Sequence, residues 1–382
     1  MRKFLSILAL PLAFLFVAFM RFNPWVLIRF GELWSTRIGH LVANTECYLC
    51  EKDAGLHPKS YDIWFHHWKP CNNAVAKKYE QVLHVWPAWL CILVIKVNVL
   101  FRGWEKHSAK SAQVDRDIYN LWGKYAPHIG FTKNEEKKGE KILRQLGIPE
   151  GAKWVCLIVR DSSYLKQKYP MLDFSYHDYR DADIGAYAQS VLGLVSRGYY
   201  VVRMGEIVQK PLLIKHPKFI DYAGSKYQSN FADLYIGANC VFCYGTPTGF
   251  MTIPQAFGKP LAMTDFVPIE HLTTSVDGLL IWKHHIKDGK ELDIRGIFDS
   301  GISLSTFGAQ YEIAGVKLQN NTTKEIYDVV MEMADRMEFK RDCSDQSDFW
   351  QKFPTSMQNG KPMHGRIDVR IGREYLNAYR KL

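Results

Sequence analysis

The sequence is poor in acidic residues and in cysteine. Asp and Glu number 39 against 49 Lys and Arg, a net charge of +10, so the chain is expected to attract anions. The excess is scattered and no nucleic-acid motif accompanies it, so nucleotide phosphates and anionic lipid headgroups come ahead of nucleic acid as partners. Eight cysteines in 382 residues are few, and Cys91, Cys156, Cys240 and Cys243 fall in apolar stretches. That excludes a disulfide framework and fits a reducing compartment. There is no Walker loop, no G-x-G-x-x-G after a strand, no G-x-S-x-G elbow and no H-E-x-x-H. The common phosphate-loop, dinucleotide, serine-hydrolase and zincin templates therefore fail. No internal repeat or low-complexity tract is present.

What is there is a folded chain, 47% apolar, long enough for two cores. Residues 1–30 open with an apolar run, Phe4–Met20, flanked by Arg2, Lys3, Arg21 and Arg29. The run lacks a cleavage site and is short for a bilayer span. A membrane-associating segment, spanning or interfacial, is expected, with packing on the first domain as the alternative. Residues 31–150 read as a first α/β domain with a linker: a strand over Tyr61–His66, a helix over Asn73–Val85, and a charged helix near 134–146. Trp86–Trp104 suits a membrane interface or a core element equally.

Residues 151–340 read as a second α/β domain, and 341–382 as a tail with a final helix. Trp154–Val159 is a fully apolar strand. Asp183 is expected to cap a helix that stops at Gly198, a strand follows over Tyr199–Met204, and Ser229 is expected to cap a helix before Cys240–Tyr244. Strand, helix, strand, helix in this cadence predicts a doubly wound parallel sheet. Ligands of such sheets gather at the carboxyl edge. There the sequence puts Arg160-Asp161-Ser162, Arg203-Met204-Gly205 and the small-residue turn Gly245-Thr246-Pro247-Thr248-Gly249, which leads into a short helix and offers a ready anion site. Arg180 precedes the Asp183 helix and adds to the anion grip.

Asp181-x-Asp183 resembles a metal-binding D-x-D, but Asp183 is better explained as the cap, so no metal is expected at this edge. Zinc held by two C-x2-C pairs, Cys47 with Cys50 and Cys240 with Cys243, is set aside because a strand would aim the second pair to opposite faces. Gly39-His40 stands on a strand-to-helix turn of the first domain. An imidazole projecting there could take a proton from a hydroxyl; Asp62, His66 and His67 are weaker versions of the same idea. A structural histidine is the alternative.

These residues resemble a known family, the bacterial glycosyltransferases of cell-surface polysaccharide loci, of GT-B type. The resemblance is carried by FGELWSTRIGHLVANTECYLCEK (Phe30–Lys52), LGIPEGAKWVCLIVRDSSYL (Leu146–Leu165), YHDYRDADIGAYAQSVLGLVSRGYYVVRMG (Tyr176–Gly205) and SNFADLYIGANCVFCYGTPTGF (Ser229–Phe250). It implies two Rossmann-like domains facing a cleft. A nucleotide sugar would bind the carboxyl-terminal domain and a surface-glycan or lipid-linked acceptor the other, at the cytoplasmic face of the inner membrane. Transfer would be metal-independent and inverting, with His40 as base and Arg160, Arg180, Arg203 and backbone N–H groups on the leaving phosphate. A nucleotide-sugar hydrolase or epimerase on the same fold, or an inactive glycan-assembly scaffold, are the alternatives.

Overall fold

The protein is described from a computed structural model, which covers residues 2–111, 116–168, 170–272, 277–340, 346–351, 353–354, 357–358 and 361–380. The chain forms two compact units, Met1–Arg116 with Lys124–Gly130, and Asp117–Gly123 with Phe131–Leu382.

In the first unit α1 (Arg2–Phe22) precedes β1 (Leu27–Leu33), α2 (Ile38–Asp53), β2 (Ser60–His66), α3 (Asn73–Glu80), β3 (His84–Val85) and α4 (Ala88–Asn98). The three strands form a parallel sheet in the order β1-β2-β3. Opposite residues Arg29 and Asp62 are both buried and joined at 2.7 Å. Burial alone would raise the Asp62 carboxyl, but Arg29 and the Tyr48 and Ser60 hydroxyls outweigh it and hold it low. Asp62 therefore ties β1 to β2 and is taken out of the set of candidate bases.

α1 and α4 pack into one apolar cluster with this sheet. Ala13, Val17 and Met20, at one helical face, meet Ile28, Phe30, Ile63 and Phe65 together with Cys91, Val94 and Val97 of α4. The opposite face of α1 stays apolar and exposed at Leu12, Leu15, Phe19 and Phe22. Side chains of the predicted Phe4–Met20 run are described from Ala9 onward. Among the described residues no helix is long and apolar enough to cross a membrane. The ambiguous Trp86–Trp104 stretch resolves into α4, with a helical turn at Trp104–His107.

The second unit begins with α5 (Lys133–Gln145), whose Thr132 and Glu135 form a capping box. The sequence reading placed this helix in a linker. It packs instead inside the second unit, where Gly139 lets the Tyr235 ring lie directly on it and Glu136 accepts from Tyr235 Oη (2.8 Å). Next come β4 (Trp154–Ile158), α6 (Ser163–Lys168), α7 (Ala188–Ser196), β5 (Tyr200–Arg203), β6 (Phe219–Asp221), α8 (Asn230–Asn239), β7 (Cys243–Gly245), α9 (Thr252–Ala256), β8 (Leu261–Phe266) and β9 (Gly278–Trp282). A small antiparallel sheet of β10 (His284–Lys287), β11 (Lys290–Glu291) and β12 (Val316–Gln319) follows, interleaved in sequence with α10 (Ile294–Asp299) and α11 (Gly308–Ile313). α11 packs on β12, whereas α12 (Thr323–Phe339) packs on α7 and on the main-sheet strands β8 and β9.

The main sheet is parallel throughout, in the order β15-β9-β8-β7-β4-β5-β6. Taken from β4, its first six strands run 3-2-1-4-5-6, the doubly wound order. The tail is part of this core. After α13 (Ser347–Gln351) and the hairpin of β13 (Met357–Gln358) and β14 (Lys361–Pro362), β15 (Arg370–Ile371) extends the sheet beside β9. The rings of Tyr375 and Tyr379 on α14 (Arg373–Tyr379) then stand edge-on to Trp282 at 5.4 and 5.0 Å.

Two local expectations differ. Asp183 makes no side-chain cap; residues 184–187 take a tighter 3-10 turn before α7, and the exposed Asp183 carboxylate turns to Lys210 (3.4 Å). The predicted stop holds, with Gly198 in the left-handed region. Cys240 lies at the end of α8 and not in the strand, and with Cys243 and Cys156 it is fully buried in the core. Burial raises the thiols of Cys156 and Cys243. The geometric objection to zinc at Cys240 and Cys243 therefore does not apply as argued; what remains is that both belong to the apolar core.

Candidate functional site

The sheet reverses its winding between β4 and β7, and the carboxyl edge at such a switch point is where doubly wound sheets bind their ligands. Gly245 closes β7 against β4 at its register partner Ile158. Its φ of +127° lies in a region that side chains rarely enter, and a Cβ there would sit 1.9 Å from the Ile158 carbonyl oxygen. This contact lets Thr246 N–H donate to Ile158 O (3.0 Å) and the Arg160 N–H donate to Thr246 Oγ1 (2.6 Å). Thr246 is fully buried; its hydroxyl holds the two strand ends in register and so positions Arg160.

Around this junction the side chains form one connected set. Arg160 Nε lies 3.3 Å from Asp181 Oδ1, an ion pair without the alignment of a hydrogen bond. Arg180 Nη2 donates across to the Pro247 carbonyl (3.0 Å), linking the segment before Asp183 to the β7 turn. Lys283, the residue just beyond β9, donates to the Asp181 carbonyl (2.7 Å) and to Asn320 Oδ1 (2.6 Å). Burial dominates Lys283 and lowers its ammonium below the usual lysine range, against the pull of Asp265 and Asp181. Burial likewise raises the Asp181 carboxyl, against the pull of Arg160. Of the three cations only Arg160 pairs with the Asp181 carboxylate among the described residues, and that pair is ill aligned, so an incoming dianion can take the carboxylate's place on Arg160.

The remaining predicted residues fall into two groups. Asp161 and Ser162 line the start of α6: Asp161 accepts from Ser163 N–H and Gln209 N–H (both 2.9 Å), and Ser162 Oγ accepts from Lys166 Nζ (2.8 Å). Half-buried Thr248 carries a hydroxyl with no partner among the described residues, and Gly249 opens a 3-10 turn ahead of α9. α9 has five residues, so the helix dipole expected here is small; anion binding at this turn rests on side chains and single N–H groups. Arg203 and Gly205 stand apart from the set. Arg203 is buried and donates to Asp221 Oδ2 (3.1 Å) on β6, the strand on the far side of β5 from β4. The Gly205 carbonyl accepts from Gln228 Nε2 (2.5 Å).

Sequence reasoning missed Asp181 as the carboxylate against Arg160 and missed Lys283 altogether. Lys283 follows the apolar GLLIW strand directly, the same position that singled out Arg160 and Arg203.

In the first unit, His40 sits in the first turn of α2, its ring 5.4 Å from the Trp34 ring and edge-on to it. It borders an open hollow of about 290 Å³ shared with Glu32, Ser35, Arg37 and Trp68. Trp34 and Trp68 are both largely exposed there, and flat aromatic faces of this kind suit a pyranose ring. His66 is paired with Glu80 (3.2 Å), and His67 stacks on Trp68.

No protein-family model matches the sequence, and no curated protein matches it at a significant level. Among solved structures the chain is similar to a family 9 glycosyltransferase of Veillonella parvula, at 9% identity over 67% of this chain and 86% of that one, TM-score 0.41. It is similar to the Escherichia coli ADP-heptose lipopolysaccharide heptosyltransferase II at 9% identity over 80% and 100%, TM-score 0.42. A third is the iron-containing dodecameric glycosyltransferase TibC of enterotoxigenic E. coli, at 11% identity over 82% and 78%, TM-score 0.40. At such identities and scores these likenesses assign neither family nor activity, and the chain's chemistry is argued from its own residues.

Proposed function

We propose that the protein is a glycosyltransferase that binds a nucleotide sugar at the β4/β7 edge of its second unit. The observation that carries this reading is a set of three cations at the switch point of a doubly wound sheet: Arg160 against the Asp181 carboxylate, Lys283 against the Asp181 carbonyl and Arg180 against the Pro247 carbonyl of the β7 turn. A diphosphate is the ligand that three cations and a small-residue turn accommodate best. The sugar-transfer part follows the resemblance carried by Phe30–Lys52 and Tyr176–Gly205. The acceptor hydroxyl would attack the anomeric carbon, its proton would pass to a base, and the bond to the diphosphate oxygen would break with its electron pair leaving on the phosphate. Arg160, Arg180 and Lys283 would stabilise that charge without a metal. His40 is proposed as the base, with the Trp34 and Trp68 faces beside it receiving an acceptor sugar.

His40→Ala is expected to lower transfer to acceptor glycan by about 100-fold or more, the usual worth of a general base, while nucleotide-sugar affinity stays within a factor of about two. The check is single-turnover transfer alongside calorimetric donor binding. Unchanged transfer would remove His40 from the reaction. Nucleotide release without acceptor, at the same rate as with it, would replace transfer by hydrolysis.

The acceptor is proposed to lie at a lipid surface, the cytoplasmic face of the inner membrane. Supporting this are the exposed Leu12, Leu15, Phe19 and Phe22 of α1, the neighbouring Trp25 at 86% exposure, and the chain's +10 charge, which complements anionic headgroups. The full chain should float with anionic vesicles, less with neutral ones, and a Leu15→Glu, Phe19→Glu variant should stay at the bottom of the gradient. Equal flotation of that variant would contradict the assignment.

A further inference from the structure

We infer that the first unit carries a divalent zinc-type site built on α2, separate from the residues proposed for sugar transfer. Glu46 and Cys50 stand four residues apart on that helix, hence on one face. His128, from the 124–130 segment, faces them, and one donor atom from each of the three lies within 4.8 Å of the others. Bonds of about 2.0–2.3 Å to one ion place its ligands about 3–4 Å apart, so small side-chain adjustments bring all three onto a shared metal. Glu46 and Cys50 are buried, at 1% and 2% exposure, and His128 closes the site from outside.

The surroundings are those of a metal site and not only of an ion pair. His128 offers Nδ1 toward Glu46 (2.8 Å), while its Nε2 meets Asp53 Oδ2 at 3.0 Å. That is the carboxylate–histidine–metal arrangement in which the outer carboxylate fixes the ring and its tautomer. Glu46 is oriented in turn: its Oε2 accepts from the buried Tyr79 hydroxyl (3.1 Å), and its Oε1 also accepts from the His128 backbone N–H (3.2 Å). A thiol, an imidazole and a carboxylate select zinc among abundant divalent ions, with the fourth tetrahedral position left for water. In the metal-bound form Cys50 would ligate as the thiolate, its proton going to solvent, and His128 through an unprotonated Nδ1, so affinity falls as the solution is acidified. The consequence for the fold is a clamp: the ion joins α2 to the 124–130 segment, which returns to the first unit from the second.

The test uses full-length protein stripped with a chelator and titrated with Co²⁺ as the spectroscopic probe, then with Zn²⁺. One Co²⁺ per chain with a near-ultraviolet thiolate-to-cobalt band is expected, displaced by Zn²⁺. Cys50→Ser should abolish the band, Cys47→Ser should keep it, and Asp53→Asn should weaken Zn²⁺ binding by about 10-fold or more. Circular dichroism of each stripped variant separates loss of binding from loss of fold. His128→Asn, which alters the ligand furthest from the core, gives a second route if Cys50→Ser does not fold. Absence of the band in the parent protein, or a band that survives Cys50→Ser or, where that variant does not fold, an unweakened one in His128→Asn, would overturn the proposal. None of these readouts requires sugar transfer, so they stand or fall apart from the donor site.

Discussion

Replacing Gly245 by alanine is expected to lower the melting temperature by about 6–12 °C, from a loss of at least about 3 kcal/mol at about 2–4 °C per kcal/mol for a unit of this size. The new Cβ would fall 1.9 Å from the Ile158 carbonyl oxygen, and the φ of +127° is strained for any side chain. Backbone has to move, because the clashing atom belongs to β4 and not to a flexible side chain. Movement there breaks the Thr246-to-Ile158 and Arg160-to-Thr246 bonds, so donor binding should fall together with stability. Thermal denaturation followed by circular dichroism reads the effect. A variant melting within about 2 °C of the parent would mean that β7 does not press on β4 as described.

Removing the cations gives the second large effect, and it separates binding from folding. Arg160→Gln and Arg180→Gln should each weaken nucleotide-sugar binding by about 10- to 150-fold, the worth of a charged hydrogen bond of about 1.5–3 kcal/mol. The melting temperature of Arg160→Gln should change little, since among the described residues its guanidinium holds an ill-aligned pair with Asp181. Arg203→Gln should do the reverse. It leaves Asp221 without its buried partner, lowering stability, while affinity stays within about three-fold. Isothermal calorimetry on the three variants reads the contrast. Loss of affinity confined to Arg203→Gln would move the donor site from β4 to β5.

The sequence made the second unit legible because its strands are short continuous apolar runs broken by helices, one of them, α8, with a readable Ser229 cap. Trp154–Ile158, Tyr200–Arg203 and the Ser229 cap stand where the pattern puts them. Strand order was not legible, since nothing local distinguishes which neighbour β4 pairs with. Arg160 and Arg203 look alike in sequence, each ending a parallel strand. What separates them is Asp221, three-dimensionally adjacent to Arg203 through a β5–β6 register that only the folded sheet defines. Lys283 went unread because the chain after Leu272 loses its cadence, although its place just past an apolar strand was the available signal. α1 was ambiguous for a physical reason: both of its faces are apolar, so the buried Ala13, Val17 and Met20 cannot be told in sequence from the exposed Leu12, Leu15 and Phe19. β15 is two residues long, below the length at which alternation carries information.

The most direct test of the account is thermal denaturation of the full chain across a panel of nucleotide sugars, with free sugars as controls. A ligand that binds only the folded state raises its stability, by about 2.7 kcal/mol at one hundred times its dissociation constant. At least one nucleotide sugar should raise the melting temperature of the parent protein and leave the Arg160→Gln, Arg180→Gln double variant unmoved. No shift with any member of the panel, or an equal shift in the double variant, would contradict a donor site at the β4/β7 edge.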